Sequence, residues 1–244
     1  MKVIEKIESL KVLSEGINPT IIYNEGWMVR LLVMQSIEQG ICIGDINFGE
    51  FKEGKYTSEA LIESPFMGPE LKKEHQNETN THMDIVIGDF KIDYEESTGI
   101  EVDDNAKILG IIEAKMGSDL SQKITNADDY NQVSRSICCL AYKVPAGCKT
   151  FVIVVAPQST LKRYKIDEND QLNPTKIRTQ IDKRLEATKK GNIKNIDDFN
   201  RIINHCRVLA ISFEDWIDKV TDSSIKTKLQ EFYDACKKWN RINA

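Results

Sequence analysis

The chain has 244 residues, of which 41% are hydrophobic and 29% charged, so disordered, collagen-like and low-complexity classes are excluded. It contains no apolar run near the ~18 residues that a membrane span requires. Its first residues alternate charged and apolar side chains and lack the apolar stretch of a secretory signal. We therefore expect a cytoplasmic protein that does not insert into a membrane.

The net charge of −5 is unevenly distributed along the chain. Residues 1–157 carry 15 basic and 25 acidic side chains, whereas residues 158–207 carry 12 basic and 7 acidic ones. The net negative charge argues against a protein that coats nucleic acid non-specifically, but the basic part could bind a polyanion. Its most basic stretch, 176–194, has two open interpretations: a surface that follows a phosphate backbone, or a solvated helix face.

Hydrophobic patterning and capping residues predict the elements of the first half of the chain. They are a helix over 2–13, a helix from Asn24 to about Gly40, turns over 41–54, a strand over 55–62 of which 58–62 could also be helical, and an exposed loop over 65–80. The β-branched run 82–90 predicts a strand, and acidic turns over 91–106 follow it.

The next elements are a strand over 107–116, a helix over 124–144 capped by Thr125 or Asn126, and a strand over 150–157 whose continuous apolar run indicates burial on both faces. Beyond them we predict helices over 174–191 and 195–205, a strand over 206–213, and one or two helices over 214–240.

This order predicts an α/β fold. Three strands suit a meander, and a helical crossover then leads to a fourth, buried strand in a mixed sheet flanked by helices. We expect one domain over 1–244, with a core over 24–157 and a mainly helical C-terminal extension over 158–244.

Two carboxylates stand out because they interrupt apolar strands. Asp84 lies near the start of one strand and Glu113 lies near the end of another, where an uncompensated charge costs several kcal/mol. Lys115 shares the strand face of Glu113, because side chains two apart point the same way. Asp84, Glu113 and the carbonyl of Ala114 form an oxygen-rich set suited to Mg²⁺. Such an ion could activate a water that Lys115 orients or deprotonates. The alternative is a buried ion-pair network.

Asp84 followed by Glu113-Ala114-Lys115, within the order helix, three strands, helix and strand over 24–157, resembles the PD-(D/E)xK nuclease superfamily. This superfamily includes restriction endonucleases, Holliday-junction resolvases and recombination exonucleases. The resemblance implies a restriction-endonuclease-like core, metal binding by Asp84 and Glu113, and a water-activating role for Lys115. Met83 stands where the superfamily's name has proline, and the spacing from Asp84 to Glu113 is long.

Relatives often place a glutamine from the next helix, and a glutamate from an earlier element, near the site. Here these would be Gln132, in DDYNQVSRSI, and Glu59, with Glu25 a weaker alternative. Tyr130 and Arg135 lie beside Gln132; Tyr130 suits packing, and Arg135 could hold a phosphate or pair with Asp128 or Asp129. Three segments also resemble an uncharacterised bacterial branch: YTSEALIESPF, THMDIVIGDF and IIEAKMGSDLS…ADDYNQVSRSI. That likeness adds Thr81, His82, Ser118 and Ser121 to the functional neighbourhood.

The resemblance implies a Mg²⁺-dependent nuclease, with Mn²⁺ as a substitute, that hydrolyses phosphodiester bonds. Its partner would be nucleic acid, with DNA favoured over RNA, and its role would be phage defence or DNA repair. Many such nucleases act as homodimers, with one site for each strand. Two alternatives stay open: a binding or scaffold protein that kept the nuclease fold without turnover, and a nuclease subunit that needs a partner.

Overall fold

A computed structural model describes residues 2–51, 55–73, 77–93, 99–120 and 130–242. The α-helices are α1 (Val3–Ser14), α2 (Glu25–Gln39), α3 (Pro69–Lys73), α4 (Gln132–Lys143), α5 (Gln158–Tyr164), α6 (Pro174–Ala187), α7 (Ile196–His205), α8 (Phe213–Asp218) and α9 (Ser223–Trp239). The strands are β1 (Cys42–Ile43), β2 (Ile46–Asn47), β3 (Tyr56–Ile62), β4 (Thr81–Gly88), β5 (Phe90–Asp93), β6 (Gly99–Val102), β7 (Ile108–Ala114), β8 (Lys149–Ala156) and β9 (Arg207–Ser212).

In the described part of the chain, the main sheet has seven strands in the order β5-β6-β3-β4-β7-β8-β9. Strands β3, β4 and β7 are antiparallel neighbours, and α4 then leads to β8, which is parallel to β7. This is the predicted meander followed by a helical crossover. The predicted α/β class with a mixed sheet flanked by helices is therefore confirmed.

Each face of the sheet packs against its own apolar cluster. One cluster joins α1, α2, α8 and α9 to the sheet, and the other joins α4, α6 and α7 to its opposite face. Strand β8 lies between two parallel neighbours and is buried along 150–156. This burial on both faces explains its uninterrupted apolar sequence.

Helix α2 begins and ends where its sequence predicts. The Asn24 side chain accepts a hydrogen bond from the Trp27 N–H at 3.0 Å. Gly40 ends the helix with a left-handed φ of 64°, a conformation that glycine adopts without a steric penalty.

Helix α4, in contrast, begins later than expected. Its N-cap is Asn131, whose side chain accepts from the Ser134 N–H at 2.8 Å, and its first residue is Gln132. The expected caps Thr125 and Asn126 lie outside the described residues. Thr, Asn and Asp are all good caps, so residue type alone did not select among the candidates.

The acidic segment 91–106 was predicted to be turns, and that prediction was wrong for much of it. Strands β5 and β6 form an antiparallel pair here, and Gly99 in β6 pairs in parallel with Leu61 in β3. Phe90 and Ile100 are buried, so apolar residues within the acidic sequence anchor the pair. The insertion between β4 and β7 thus widens the sheet beyond β3.

The prediction of an exposed loop over 65–80 was also wrong in part. Phe66 and Glu78 are buried, and α3 lies between them. The Phe66 carbonyl accepts a hydrogen bond from the Glu78 N–H at 2.8 Å. The segment is therefore folded back on itself, with a charged side chain inside.

Residues after 157 contribute to the same sheet. Strand β9 pairs in parallel with β8 over six residue pairs. Helices α6 and α7 pack on one face and α8 and α9 on the other. No helix within the described ranges is long and apolar enough to cross a membrane.

Candidate active site

Strands β3 and β4 exchange faces at two opposed acidic residues. Ile85 packs in the cluster beside α2, whereas Met83, two residues away, packs in the cluster beside α4. In β3, Tyr56 and Ala60 are likewise on opposite faces although they are four positions apart. In regular strands Ile85 and Met83 would share one face of the sheet, and so would Tyr56 and Ala60. The reversal occurs at Glu59 and Asp84, and Glu59 has a left-handed φ of 55°.

This reversal places the Asp84 carboxylate against β7. The backbone pairing of β4 with β7 stops at Ile85 and Ile112. One position further, Asp84 Oδ2 accepts a hydrogen bond from the Ala114 N–H at 2.7 Å. The side chain thus takes the place of a strand carbonyl, and Asp84 lies beside Glu113.

Glu113 is at the centre of the site and is almost completely buried. Its Oε1 accepts hydrogen bonds from Lys115 Nζ, at 2.6 Å, and from the amide nitrogen of Gln132 at the start of α4. Its Oε2 is buried and has no hydrogen-bond partner in the part of the chain that is described. One oxygen of this carboxylate is therefore saturated and the other has none of the partners a buried acceptor requires.

The electrostatics of Glu113 favour a positive ligand. Burial and the neighbouring Asp84 carboxylate together raise the pKa of Glu113 to about 8, although Lys115 acts to lower it. At neutral pH Lys115 alone thus does not provide enough positive charge to keep the Glu113 carboxyl group ionised beside Asp84. Either a proton or a cation beside Oε2 would supply that charge.

A small divalent cation fits this set of donors. Mg²⁺ is commonly held by one or two carboxylates, together with waters and substrate phosphates. Across the described ranges, no group of three or more His, Cys, Asp or Glu side chains is arranged to hold a metal ion. A cation at Asp84 and Glu113 would therefore take its remaining ligands from carbonyl and water oxygens. Ala114 follows Glu113 and donates its N–H to Asp84, and its carbonyl stays the predicted third ligand.

Glu59 lies opposite Asp84 in the pairing of β3 with β4, but its carboxylate points to α2. There it forms an ion pair with Arg30 at 3.4 Å, and Arg30 lies 5.0 Å from the Trp27 ring. The structure therefore does not bring Glu59 together with Asp84 and Glu113 as a ligand set. Glu25, the weaker alternative, lines a cleft near Ser118.

The other predicted neighbours are dispersed. His82 is exposed, and Thr81 is buried, with its hydroxyl oxygen accepting from the Cys139 thiol at 3.8 Å. Tyr130 is buried edge-on against Phe66, as expected for a packing residue. Ser121 lies outside the described residues.

A buried charge network near the site was not foreseen. Glu78 accepts hydrogen bonds from Ser64, Arg135 and Arg184 at 2.7, 3.1 and 3.0 Å. Arg135 is thus paired with Glu78, and the candidate partners Asp128 and Asp129 lie outside the described residues. One signal was available: Arg184 follows Ile177 and Ile181 at helical spacing, on the buried face of α6.

At least three of the seven basic side chains in the stretch 176–194 form ion pairs within the protein. Lys176 pairs with Asp170, Arg178 pairs with Asp182 at 2.7 Å, and Arg184 is buried against Glu78. Part of this charge is therefore neutralised, which favours the solvated-face interpretation over a phosphate-binding surface.

Comparisons of the chain with protein-family models, with curated proteins and with solved structures found no match in any of the three.

Proposed function

We propose that this protein is a Mg²⁺-dependent nuclease that hydrolyses phosphodiester bonds, with DNA as its substrate and Mn²⁺ as an alternative ion. The observation that carries the proposal is the Glu113 carboxylate, which is buried beside Asp84, held by Lys115 and Gln132 through one oxygen, and unpartnered within the described chain at the other. Two neighbouring carboxylates that share a single lysine keep a net negative charge, which suits a divalent cation and metal-assisted phosphoryl transfer.

The architecture around these residues supports a restriction-endonuclease-like core of the PD-(D/E)xK type. Helix α2 precedes the β3-β4-β7 meander, and α4 connects β7 to the parallel strand β8. Asp84 and Glu113 lie on the two central neighbours β4 and β7, and Gln132 opens the helix that follows. This is the order and placement that the sequence resemblance implies.

Each side chain has a distinct role in this proposal. Asp84 and Glu113, with the carbonyl of Ala114, would hold the cation. When bound, the cation supplies Lewis-acid polarisation of the phosphoryl group and lowers the pKa of a coordinated water. Gln132 fixes the Glu113 carboxylate so that Oε2 is the oxygen left for the ion. Lys115 is mostly buried and its ammonium group contacts Glu113, so it can orient the attacking water and stabilise negative charge on the phosphate. Glu59 would support this site only after leaving Arg30.

The test is metal-dependent cleavage of labelled nucleic acids: duplex DNA, single-stranded DNA, a four-way DNA junction and single-stranded RNA. Wild type is compared with Lys115→Ala, and with Lys149→Ala as a control lysine on the exposed opposite end of the sheet. Cleavage by wild type and Lys149→Ala with Mg²⁺ or Mn²⁺, and its loss by a factor of about 10² or more in Lys115→Ala, would support the proposal.

A second candidate is a binding or scaffold protein that uses the same fold without turnover. Two contacts favour it: the Asp84–Ala114 hydrogen bond joins β4 to β7, and the Lys115–Glu113 ion pair compensates a buried charge, so both can serve the fold alone. Absence of cleavage together with absence of metal-induced stabilisation would select this candidate. Metal binding without cleavage would instead select a nuclease subunit that needs a partner.

A further inference from the structure

A polar cleft of about 490 Å³ lies beside the turn that follows Lys115. It is on the sheet face that packs against α2 and α9, whereas the side chains of Glu113 and Lys115 lie on the α4 face. Its lining includes Met116, Gly117 and Ser118, the residues that immediately follow Lys115, and Arg163 from α5 and Arg241 after α9. These residues lie past the carboxyl ends of the parallel strands β7 and β8. Ligands of open α/β sheets characteristically bind at this edge.

Two guanidinium groups in this cleft lack acidic partners. Within the described ranges, neither Arg163 nor Arg241 forms an ion pair with a carboxylate, and Arg163 lies 5.2 Å from the Tyr164 ring. Arginines elsewhere are neutralised: Arg201 pairs with Asp198 at 2.7 Å and Arg207 with Asp45 at 3.2 Å. Among the described residues that line the cleft, Glu25 is the single carboxylate.

Both arginines are carried by backbone that is fixed to the turn after Lys115. The Thr160 hydroxyl in α5 donates to the Met116 carbonyl at 3.3 Å. The chain after α9 packs so closely on this turn that a Cβ at Gly117 would lie 2.4 Å from Ile242 Cδ1. The Asn240 side chain further donates to the Tyr23 carbonyl at 2.9 Å. The backbone that carries the two arginines is therefore fixed beside the turn that follows Lys115.

We propose that this cleft binds the phosphodiester backbone of the substrate next to the scissile phosphate, through Arg163 and Arg241. The inference rests on the proposed nuclease function and extends it by assigning the substrate-binding surface. Guanidinium groups bind phosphate oxygens in a bidentate manner, and such contacts position the nucleic acid without reading its sequence. This assignment replaces the stretch 176–194, whose charges are partly paired within the protein.

The test measures binding of a fluorescein-labelled 20-nucleotide DNA, both single-stranded and duplex, with Ca²⁺ in place of Mg²⁺ to prevent turnover. Fluorescence anisotropy gives the Kd at several salt concentrations for wild type, Arg163→Ala/Arg241→Ala and Arg163→Lys/Arg241→Lys. The matched control is Arg201→Ala/Arg207→Ala, which removes the same charge at the opposite edge of the sheet.

The alanine pair in the cleft should weaken binding about tenfold or more and reduce the slope of log Kd against log salt by about 2, since each lost phosphate contact removes about 0.9 for duplex DNA. The lysine pair should keep most of the slope, and the control pair should keep affinity and slope. Melting temperatures and their rise with Mn²⁺ should match wild type in all variants, which shows that the fold and the metal site are intact.

Cleavage by the wild type with unchanged affinity and slope in Arg163→Ala/Arg241→Ala would overturn the cleft assignment and leave the proposed function standing. Equal losses in the cleft pair and the control pair would also overturn it, because the effect would then be one of net charge. If the wild type neither binds nor cleaves any nucleic acid, the proposed function fails and this assignment fails with it.

Discussion

The Asp84 carboxylate accepts the backbone N–H of Ala114, and this contact places it beside the buried carboxylate of Glu113. The contact depends on a local irregularity, because β3 and β4 exchange faces at Glu59 and Asp84. A regular strand would have paired this N–H with a backbone carbonyl. The irregularity thus brings two carboxylates close together inside the folded protein. Their mutual repulsion must be relieved by a proton or a cation, and the first predictions concern that effect.

Replacing Glu113 with Gln should raise the free energy of unfolding at pH 8 in the presence of EDTA. Burial and Asp84 raise the pKa of Glu113 in the folded protein to about 8, from an ordinary value of 4.5. Because the folded-state pKa is raised, the contribution of this carboxyl group to stability is complete below pH 4.5 and is lost as the pH rises from 4.5 to 8. Gln stays uncharged and avoids that loss.

The stability difference between Glu113→Gln and wild type should therefore be smallest near pH 4.5 and on the order of a few kcal/mol at pH 8, measured by urea unfolding. Glu63→Gln is the control, since Glu63 is half-exposed and pairs with Lys143 at 3.2 Å. It should change stability by less than about 1 kcal/mol at both pH values. A Glu113→Gln protein less stable than wild type at pH 8 would contradict the prediction.

Divalent ions should raise the melting temperature of the wild type, and more strongly at pH 8 than at pH 6. A proton on Glu113 competes with the ion, so metal affinity should increase as the pH approaches the pKa of about 8. At an Mn²⁺ concentration ten times its Kd, the stabilisation is about 1.4 kcal/mol. For a chain of this size, that corresponds to a rise of about 4 °C in calorimetry.

Asp84→Asn should abolish this rise. Asp89→Asn is a close control, because Asp89 accepts the N–H of Lys107 at 2.9 Å at the opposite end of the same strand pair. The control should lower the melting temperature without changing its response to Mn²⁺. If Asp84→Asn kept the full response, the metal site would have to lie elsewhere.

Replacing Gln132 with Ala should weaken metal binding while leaving the fold intact. The Gln132 amide donates to Glu113 Oε1, so it stabilises the ionised carboxylate and fixes its orientation. Loss of a partner that orients a metal ligand typically costs about 10- to 100-fold in affinity. Isothermal titration with Mn²⁺ at pH 8 measures this change.

Gln180→Ala is the control for Gln132→Ala, because Gln180 contacts the same end of α4 without contacting Glu113. Its Oε1 accepts from the Asn131 N–H at 3.3 Å and from the Ser134 hydroxyl at 2.6 Å. An equal loss of affinity in both variants would show that the position of α4, and not the Gln132 amide, controls the site.

The strands that carry the site could be predicted because they are buried. Strands β4, β7 and β8 are runs of β-branched residues between polar segments, and Glu113 is conspicuous within such a run. The face reversal could not be predicted, since a left-handed φ at Glu59 is unusual for glutamate and depends on the paired strand. The buried network could not be predicted for another reason. Glu78 contacts Arg135 and Arg184, which are 57 and 106 positions away in the sequence, and a polar sequence such as that around Glu78 is ordinarily exposed.

That network gives the last prediction, which concerns stability alone. Arg184→Ala should lower the free energy of unfolding by about 3–5 kcal/mol, because it leaves the buried Glu78 carboxylate without one of its two cations. Arg184 also lies 5.1 Å from the Phe66 ring, so the substitution removes apolar contact as well.

Arg178→Ala is the matched control on the same helix. Its guanidinium pairs with the exposed Asp182 at 2.7 Å, and losing an exposed i,i+4 pair costs less than about 1 kcal/mol. Urea unfolding of both variants at pH 7 measures the difference. Similar small losses in the two would mean that Arg135 alone compensates the buried Glu78 carboxylate. A large loss confined to Arg184→Ala would establish that the Arg184–Glu78 pair holds α6 to α4.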